Sequence, residues 1–145
     1  MYKKAQTLLP WLTEIYRSLH RIPEVGRDLP ETVAFVKARL DELGVAYRDC
    51  AGGILAELPA PAGRPLLALR ADMDALPVDE ETGLPWSSTH KGAMHACGHD
   101  AHTTCALGAL KLLKAPLTSS VIPGNEPIRN PANTHISTNT RCSKA

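Results

Sequence analysis

The run Pro65-Leu66-Leu67-Ala68-Leu69 is short, continuously apolar, and followed at once by charge in Arg70-Ala71-Asp72-Met73-Asp74-Ala75-Leu76-Pro77. An apolar run of this kind fits a strand covered on both faces, as in an α/β sheet. In open α/β sheets, ligands bind just beyond the carboxyl ends of the strands. The sequence therefore predicts an α/β fold with a strand over 65–70 and two carboxylates where a site belongs. Asp72 and Asp74 share a face while the backbone stays extended. Neighbouring carboxylates repel unless a cation or a shared proton intervenes. A solvated turn is the plain alternative, and what lies downstream argues against it.

Downstream stands His95-Ala96-Cys97-Gly98-His99-Asp100-Ala101-His102. Alternation places His95, Cys97 and His99 on one side of an extended strand. Gly98 allows a tight turn or a close approach to a ligand. Thiolate and neutral imidazole are the usual ligands of zinc and similar divalent ions. A histidine-rich surface loop and a thiol nucleophile activated by a nearby histidine are the competing readings. Asp100 can cap a helix over 100–114 that is apolar nearly all round, hence buried, with Cys105 in its core. A thiolate at Cys97 would gain from the positive end of that helix.

Upstream, Ala5, Leu8, Leu12, Ile15 and Leu19 form a stripe at helical spacing, predicting a helix over 10–20 that Pro10 either starts or kinks. His20 reads as a cap on its last carbonyls. Asp28, Pro30 and Glu31 predict a capped helix start, Val33, Val36, Leu40 and Leu43 its buried stripe, and Gly44 its left-handed stop. Strands follow over 45–48 and 53–58 around the turn Cys50-Ala51-Gly52-Gly53, which suggests a hairpin. Residues 78–91 read as a polar loop with Trp86 as its packing anchor.

A chain of 145 residues with 43% hydrophobic content can bury one modest core. A net charge of +1 and no basic run argue against nucleic-acid or membrane-surface partners. No apolar run is long enough to span a bilayer, and the residues after Met1 do not make a signal peptide. Cys50, Cys97, Cys105 and Cys142 form no paired framework, which suits a reducing compartment and points to the cytoplasm.

Four motifs in order carry a resemblance: Leu19-His20-x-x-Pro23-Glu24, Glu31-Thr32, Leu69 to Pro77, and Met94 to His102. With them, residues 10 to about 114 resemble the N-terminal part of the M20 metallopeptidase family. The closest likeness is to its amidohydrolase branch of hippurate hydrolases, N-acyl-amino-acid deacylases and auxin-conjugate hydrolases. The resemblance implies the N-terminal portion of a zinc-peptidase-like catalytic domain, a mixed sheet with packed helices, truncated. It implies two divalent ions (zinc, manganese, cobalt or nickel, not distinguished) with Cys97 and His99 as ligands. Asp74 corresponds to the carboxylate that supports the catalytic site, and Asp72 stands where the wider family has a ligand histidine. Asp72, His95, Asp100 and His102 are further candidates for the metal shell or the layer behind it. The substrate class implied is an N-acyl amino acid or related small amide, and the resemblance allows a homodimer in full-length members, through a lid domain that these residues do not include.

Family enzymes are far longer, and their later segments supply a Glu-Glu pair, whose first member is the general base, and further histidine ligands. Here residues 1–114 read as the family-like part and 115–145 as a divergent, disordered or mistranslated tail, with Glu126 its sole carboxylate. Two readings of the chain follow: a part of a metal-dependent amidohydrolase that is inactive by itself, or a non-catalytic metal-binding or interaction fragment derived from one.

Overall fold

The computed structural model describes residues 2–59, 63, 67–119 and 134–137. In chain order the elements are α1 (Tyr2–Thr7), α2 (Leu9–His20), α3 (Pro30–Leu43), β1 (Ala46–Cys50), β2 (Gly53–Leu58), β3 (Ala68–Arg70), α4 (His99–Ser119) and β4 (Thr134–Ser137). This is a mixed α/β arrangement. None of the described helices is long and apolar enough to cross a membrane.

Leu8 ends α1 and begins α2, with Pro10 in the first turn, where its missing N–H costs nothing. α3 starts differently from its sequence reading. Asp28 does not cap it; its flanking residue Leu29 makes no side-chain cap bond. Instead the Glu24 carboxylate accepts the amides of Glu31 (3.1 Å) and Thr32 (2.8 Å). A carboxylate fixed by a preceding turn thus satisfies the orphan donors of the helix. Gly44 stops α3 in the left-handed region at φ 57°, with its amide on the Asp41 carbonyl. Lys114 from α4 donates to the carbonyls of Leu43 and Gly44, tying the two helices end to end.

β1 and β2 form the expected antiparallel hairpin, Ala46 opposite Glu57 and Cys50 opposite Gly53. The turn residues Ala51 and Gly52 both have positive φ, as a two-residue hairpin loop requires. The sheet order is β1-β2-β4-β3, with β4 antiparallel to β2 and parallel to β3. Two sequence expectations are revised here. β3 is not covered on both faces: Ala68 and Arg70 are exposed and Leu69 half-buried, because β3 ends the sheet. Within the stretch read as a tail, the backbone of 115–119 continues α4 and 134–137 forms β4. Strand pairing rests on backbone groups, so the polar Thr134–Ser137 pairs without an apolar pattern. Residues 120–133, Glu126 among them, and 138–145 lie outside the described residues, as do 65 and 66 of the apolar run.

The core lies between the helices and the sheet. Ile15 and Leu19 of α2, Val36 and Leu40 of α3, Ile54, Ala56 and Leu58 of β2, Met73, and Leu107 and Leu110 of α4 are buried in one cluster. α4 is buried on one side only; Cys105 is exposed rather than in the core. Cys97 is also a free, exposed thiol, whereas Cys50 is disulfide-bonded, which the cysteine spacing did not indicate.

Candidate metal-binding site

Beyond β3 the chain stays extended through Ala75, and burial alternates: Ala71, Met73 and Ala75 are buried, Asp72 and Asp74 half-buried. The two carboxylates share a face, as the spacing predicts, but they have different partners. Arg70 places Nε (3.1 Å) and Nη2 (2.7 Å) on Asp72 Oδ1, supplying the cation that relieves their repulsion. Thr103 of α4 donates to the Asp72 carbonyl at 3.0 Å. Asp74 turns to the metal-like motif: His99 Nδ1 lies 2.9 Å from both Asp74 Oδ1 and the Asp74 carbonyl. An Nδ1–H donating to these two oxygens leaves Nε2 as the ring nitrogen that can offer a lone pair. A carboxylate behind an imidazole is how proteins orient a metal-binding histidine. His102 stacks on His99 with ring centroids 5.6 Å apart.

Three backbone links hold the motif. The Ala75 amide donates to the Glu24 carbonyl at 2.7 Å, and Leu76 and Met94 exchange amide–carbonyl bonds at 3.0 Å. The segment after Met94 is not the extended strand the alternation implied. The Gly98 amide folds back to the His95 carbonyl, and Gly98 sits at φ +85°. The turn sends His95 inward, 5% exposed, while Cys97 faces solvent. His95, Cys97 and His99 therefore do not share a side. Gly98, not Asp100, is the residue whose carbonyl takes the first helical amide of α4, from His102.

Asp100 lies buried in the first turn of α4. Its Oδ1 accepts the Ala101 amide (2.8 Å) and its Oδ2 lies 2.6 Å from His20 Nδ1. The other ring nitrogen of His20 is 3.2 Å from Glu80 Oε1. His20 thus bridges two carboxylates instead of capping α2. Burial pushes the His20 imidazole down, but its hydrogen bonds to Asp100 and Glu80 outweigh this and hold it above the usual histidine value. Burial likewise pushes Glu80 up, yet the Thr82 hydroxyl, the Ser88 amide and His20 together bring it below the usual carboxylate value. Glu80 was hidden in a stretch that reads as a plain loop; nothing local marks it, since its partner is sixty residues away. Trp86 does anchor that loop, under the Arg17 guanidinium at 4.1 Å.

Both ring nitrogens of His95 are buried with no hydrogen-bond partner. Burial holds this imidazole below the usual histidine value, with the Asp100 charge pulling the other way. An orphaned neutral imidazole, an exposed thiol and a carboxylate-oriented His99 are a donor set that suits a borderline-soft divalent ion. Among the described residues, however, no group of three or more His, Cys, Asp or Glu is gathered closely enough to hold one.

Sequence and structure comparisons agree on the kin of this arrangement. The family model described as peptidase family M20/M25/M40 matches residues 68–124. The N-acetyl-L-cysteine deacetylase of Bacillus subtilis is 50% identical over 110 residues, covering 74% of this chain and 26% of its own length. The chain matches the N-terminal part of the M20 family. Another relative, the IAA-amino acid hydrolase ILR1-like 5 of Arabidopsis thaliana, is 44% identical over 77% of this chain and 26% of its own. The Bacillus subtilis YXEP protein, described as a dinuclear metal-binding peptidase of the M20 family, superposes with a TM-score of 0.76 at 31% identity. That match covers 92% of this chain and 35% of that one. The chain thus spans about a quarter of the length of these curated relatives.

Proposed function

We propose that this chain forms the N-terminal share of a metal-dependent amidohydrolase site, with Cys97 and His99 as ligands and Asp74 orienting His99. The observation that carries the reading is the double hold of Asp74 on His99 Nδ1, which leaves Nε2 as the free lone pair a few residues from an exposed thiol. Divalent ions bound there would activate water and polarise an amide carbonyl. The chain's own residues orient and position: Asp74 fixes the ring plane of His99, Arg70 holds the Asp72 carboxylate in place, and the Gly98 turn presents Cys97. Both oxygens of Asp100 are taken up, by His20 and the Ala101 amide, so Asp100 serves behind the ligands, whereas Arg70 takes only Oδ1 of Asp72. The relatives' names support an N-acyl amino acid or related small amide as substrate.

The proton-transfer group is not among these residues. After Asp100 the sequence holds one carboxylate, Glu126, outside the described residues. The chain by itself is therefore a metal-binding half-site without hydrolytic turnover. The second reading, a fragment with no catalytic role, is favoured by the lack of any three-donor cluster among the described residues. Cobalt titration of the purified chain tests the metal site. A thiolate-to-cobalt absorption band that is lost in Cys97→Ala and weakened in His99→Ala supports it. Equal binding by the Cys97→Ala, His99→Ala double variant rejects it.

A further inference from the structure

We infer that His20 is a positioning residue: its two ring nitrogens tie Glu80 and Asp100 together, fixing the loop before the metal motif and the first turn of α4 to the end of α2. The inference rests on the metal-site reading above, since it concerns how that motif is held.

The geometry is specific. His20 Nδ1 lies 2.6 Å from Asp100 Oδ2 and Nε2 lies 3.2 Å from Glu80 Oε1, and the three side chains are only 6%, 1% and 2% exposed. Two carboxylates out of water on either side of one ring are stable only if a cation or shared protons lie between them. A ring that donates from both nitrogens answers both acceptors at once. The other titratable groups facing His20 are Tyr16, whose ring centroid is 5.6 Å away, and His95, at 6.4 Å. Neither takes up a ring nitrogen of His20.

Each carboxylate passes the hold on. Glu80 collects the Thr82 hydroxyl on Oε1 and the Ser88 amide on Oε2 (2.6 Å), so it folds the 80–88 loop around itself. Asp100 takes the Ala101 amide on Oδ1, and Thr104 donates to the Asp100 carbonyl at 2.7 Å. Asp100 is the residue after His99, so its side chain sets the rotation of α4 at the point where the ligand histidine leaves it. By holding Asp100, His20 also keeps that carboxylate from competing for the ion.

Two measurements on the full chain test this. In the unchanged protein, nitrogen-15 NMR of histidine should show His20 protonated on both ring nitrogens at neutral pH, unlike a histidine with an ordinary value of about 6.5. A single protonated nitrogen there overturns the bridge. In His20→Gln, which keeps a donor but cannot reach both carboxylates, amide resonances over 80–88 and 98–102 should move while those of β1 and β2 stay. Cobalt affinity should fall by about 10–100-fold, the loss typical of groups that orient metal ligands. Unmoved amides with unchanged cobalt affinity overturn the positioning role. If the unchanged protein gives no cobalt band, the metal reading fails, and the amide shifts alone decide whether His20 holds the motif. If His20→Gln does not fold, His20→Asn supplies the comparison, and the protonation of the unchanged protein still decides the bridge.

Discussion

Replacing Glu24 by alanine separates a structural from a catalytic meaning of the first motif. Its carboxylate accepts two amides at the start of α3, from Glu31 at 3.1 Å and Thr32 at 2.8 Å. The two losses are unequal. Glu31 is exposed, so its amide can turn to water, at a cost of about 0.5 kcal/mol. Thr32 is 1% exposed, so its amide is left without water, at about 1–2 kcal/mol. Removing a negative charge from the positive end of the helix adds roughly 0.3–1 kcal/mol. The sum for Glu24→Ala is about 2–3 kcal/mol, and Glu24→Gln, which keeps one acceptor, should lose about half of it. Urea unfolding followed by far-UV circular dichroism reads this directly. With a slope of about 1–2 kcal/mol/M, the midpoint should fall by roughly 1–3 M at unchanged slope. A shift worth under about 0.5 kcal/mol would refute the capping argument. Loss of cobalt binding at unchanged stability would move Glu24 from the helix to the site.

Met73, fully buried between the two aspartates, should cost about 2–5 kcal/mol when cut to alanine, read by the same urea titration. Gly108→Ala would set a Cβ 2.8 Å from Leu12 Cδ2, a movable side-chain end; the gain in helix propensity offsets the push, so stability should stay within about 1 kcal/mol, whereas Gly108→Val should lose about 2–3. Thermal midpoints should depend on pH on two sides. His20, raised in the fold, stabilises fully below its unfolded value and loses that contribution as pH rises through its folded value, a limb that His20→Gln should flatten. Glu80, lowered, stabilises above its unfolded value and loses that as pH falls through its folded value; buried His95, also lowered, adds to the acid-side decline. An alkaline limb unchanged in His20→Gln would refute the assignment. Purified chain with manganese, cobalt or zinc should show no turnover of N-acetyl or N-benzoyl amino acids; metal-dependent turnover abolished by Cys97→Ala would show that the half-site is complete.

What the sequence made legible was local. Gly44 at the end of α3, the positive-φ turn between β1 and β2, and the shared face of Asp72 and Asp74 each follow from a few adjacent residues. What it concealed was reached across the chain. Glu24 caps α3 from seven and eight residues before the amides it serves, so the nearer Asp28 looked sufficient. His20 ended a helix and so resembled a carbonyl cap, while its partners stood sixty and eighty residues on. The His95 to His99 alternation suggested a strand, but a tight turn at Gly98 separates the inward imidazole from the outward thiol. β4 carries polar residues because its place is set by backbone pairing with β2 and β3, which no side-chain pattern announces.

The links joining Glu24, Ala75, Leu76 and Met94 are all main-chain to main-chain. Such bonds do not depend on which side chains the residues carry. At the same lattice Val25 and Leu76 are 46% and 40% exposed, and Val78 just beyond is 48% exposed. The support of the motif and the surface beside it are thus written in different parts of the same residues. A lineage can therefore exchange these exposed apolar groups without disturbing the main-chain frame that carries the segment from Met94 to His99. Proline at Ala75, Leu76 or Met94 is the change such divergence must avoid, because it removes the amide that each link requires.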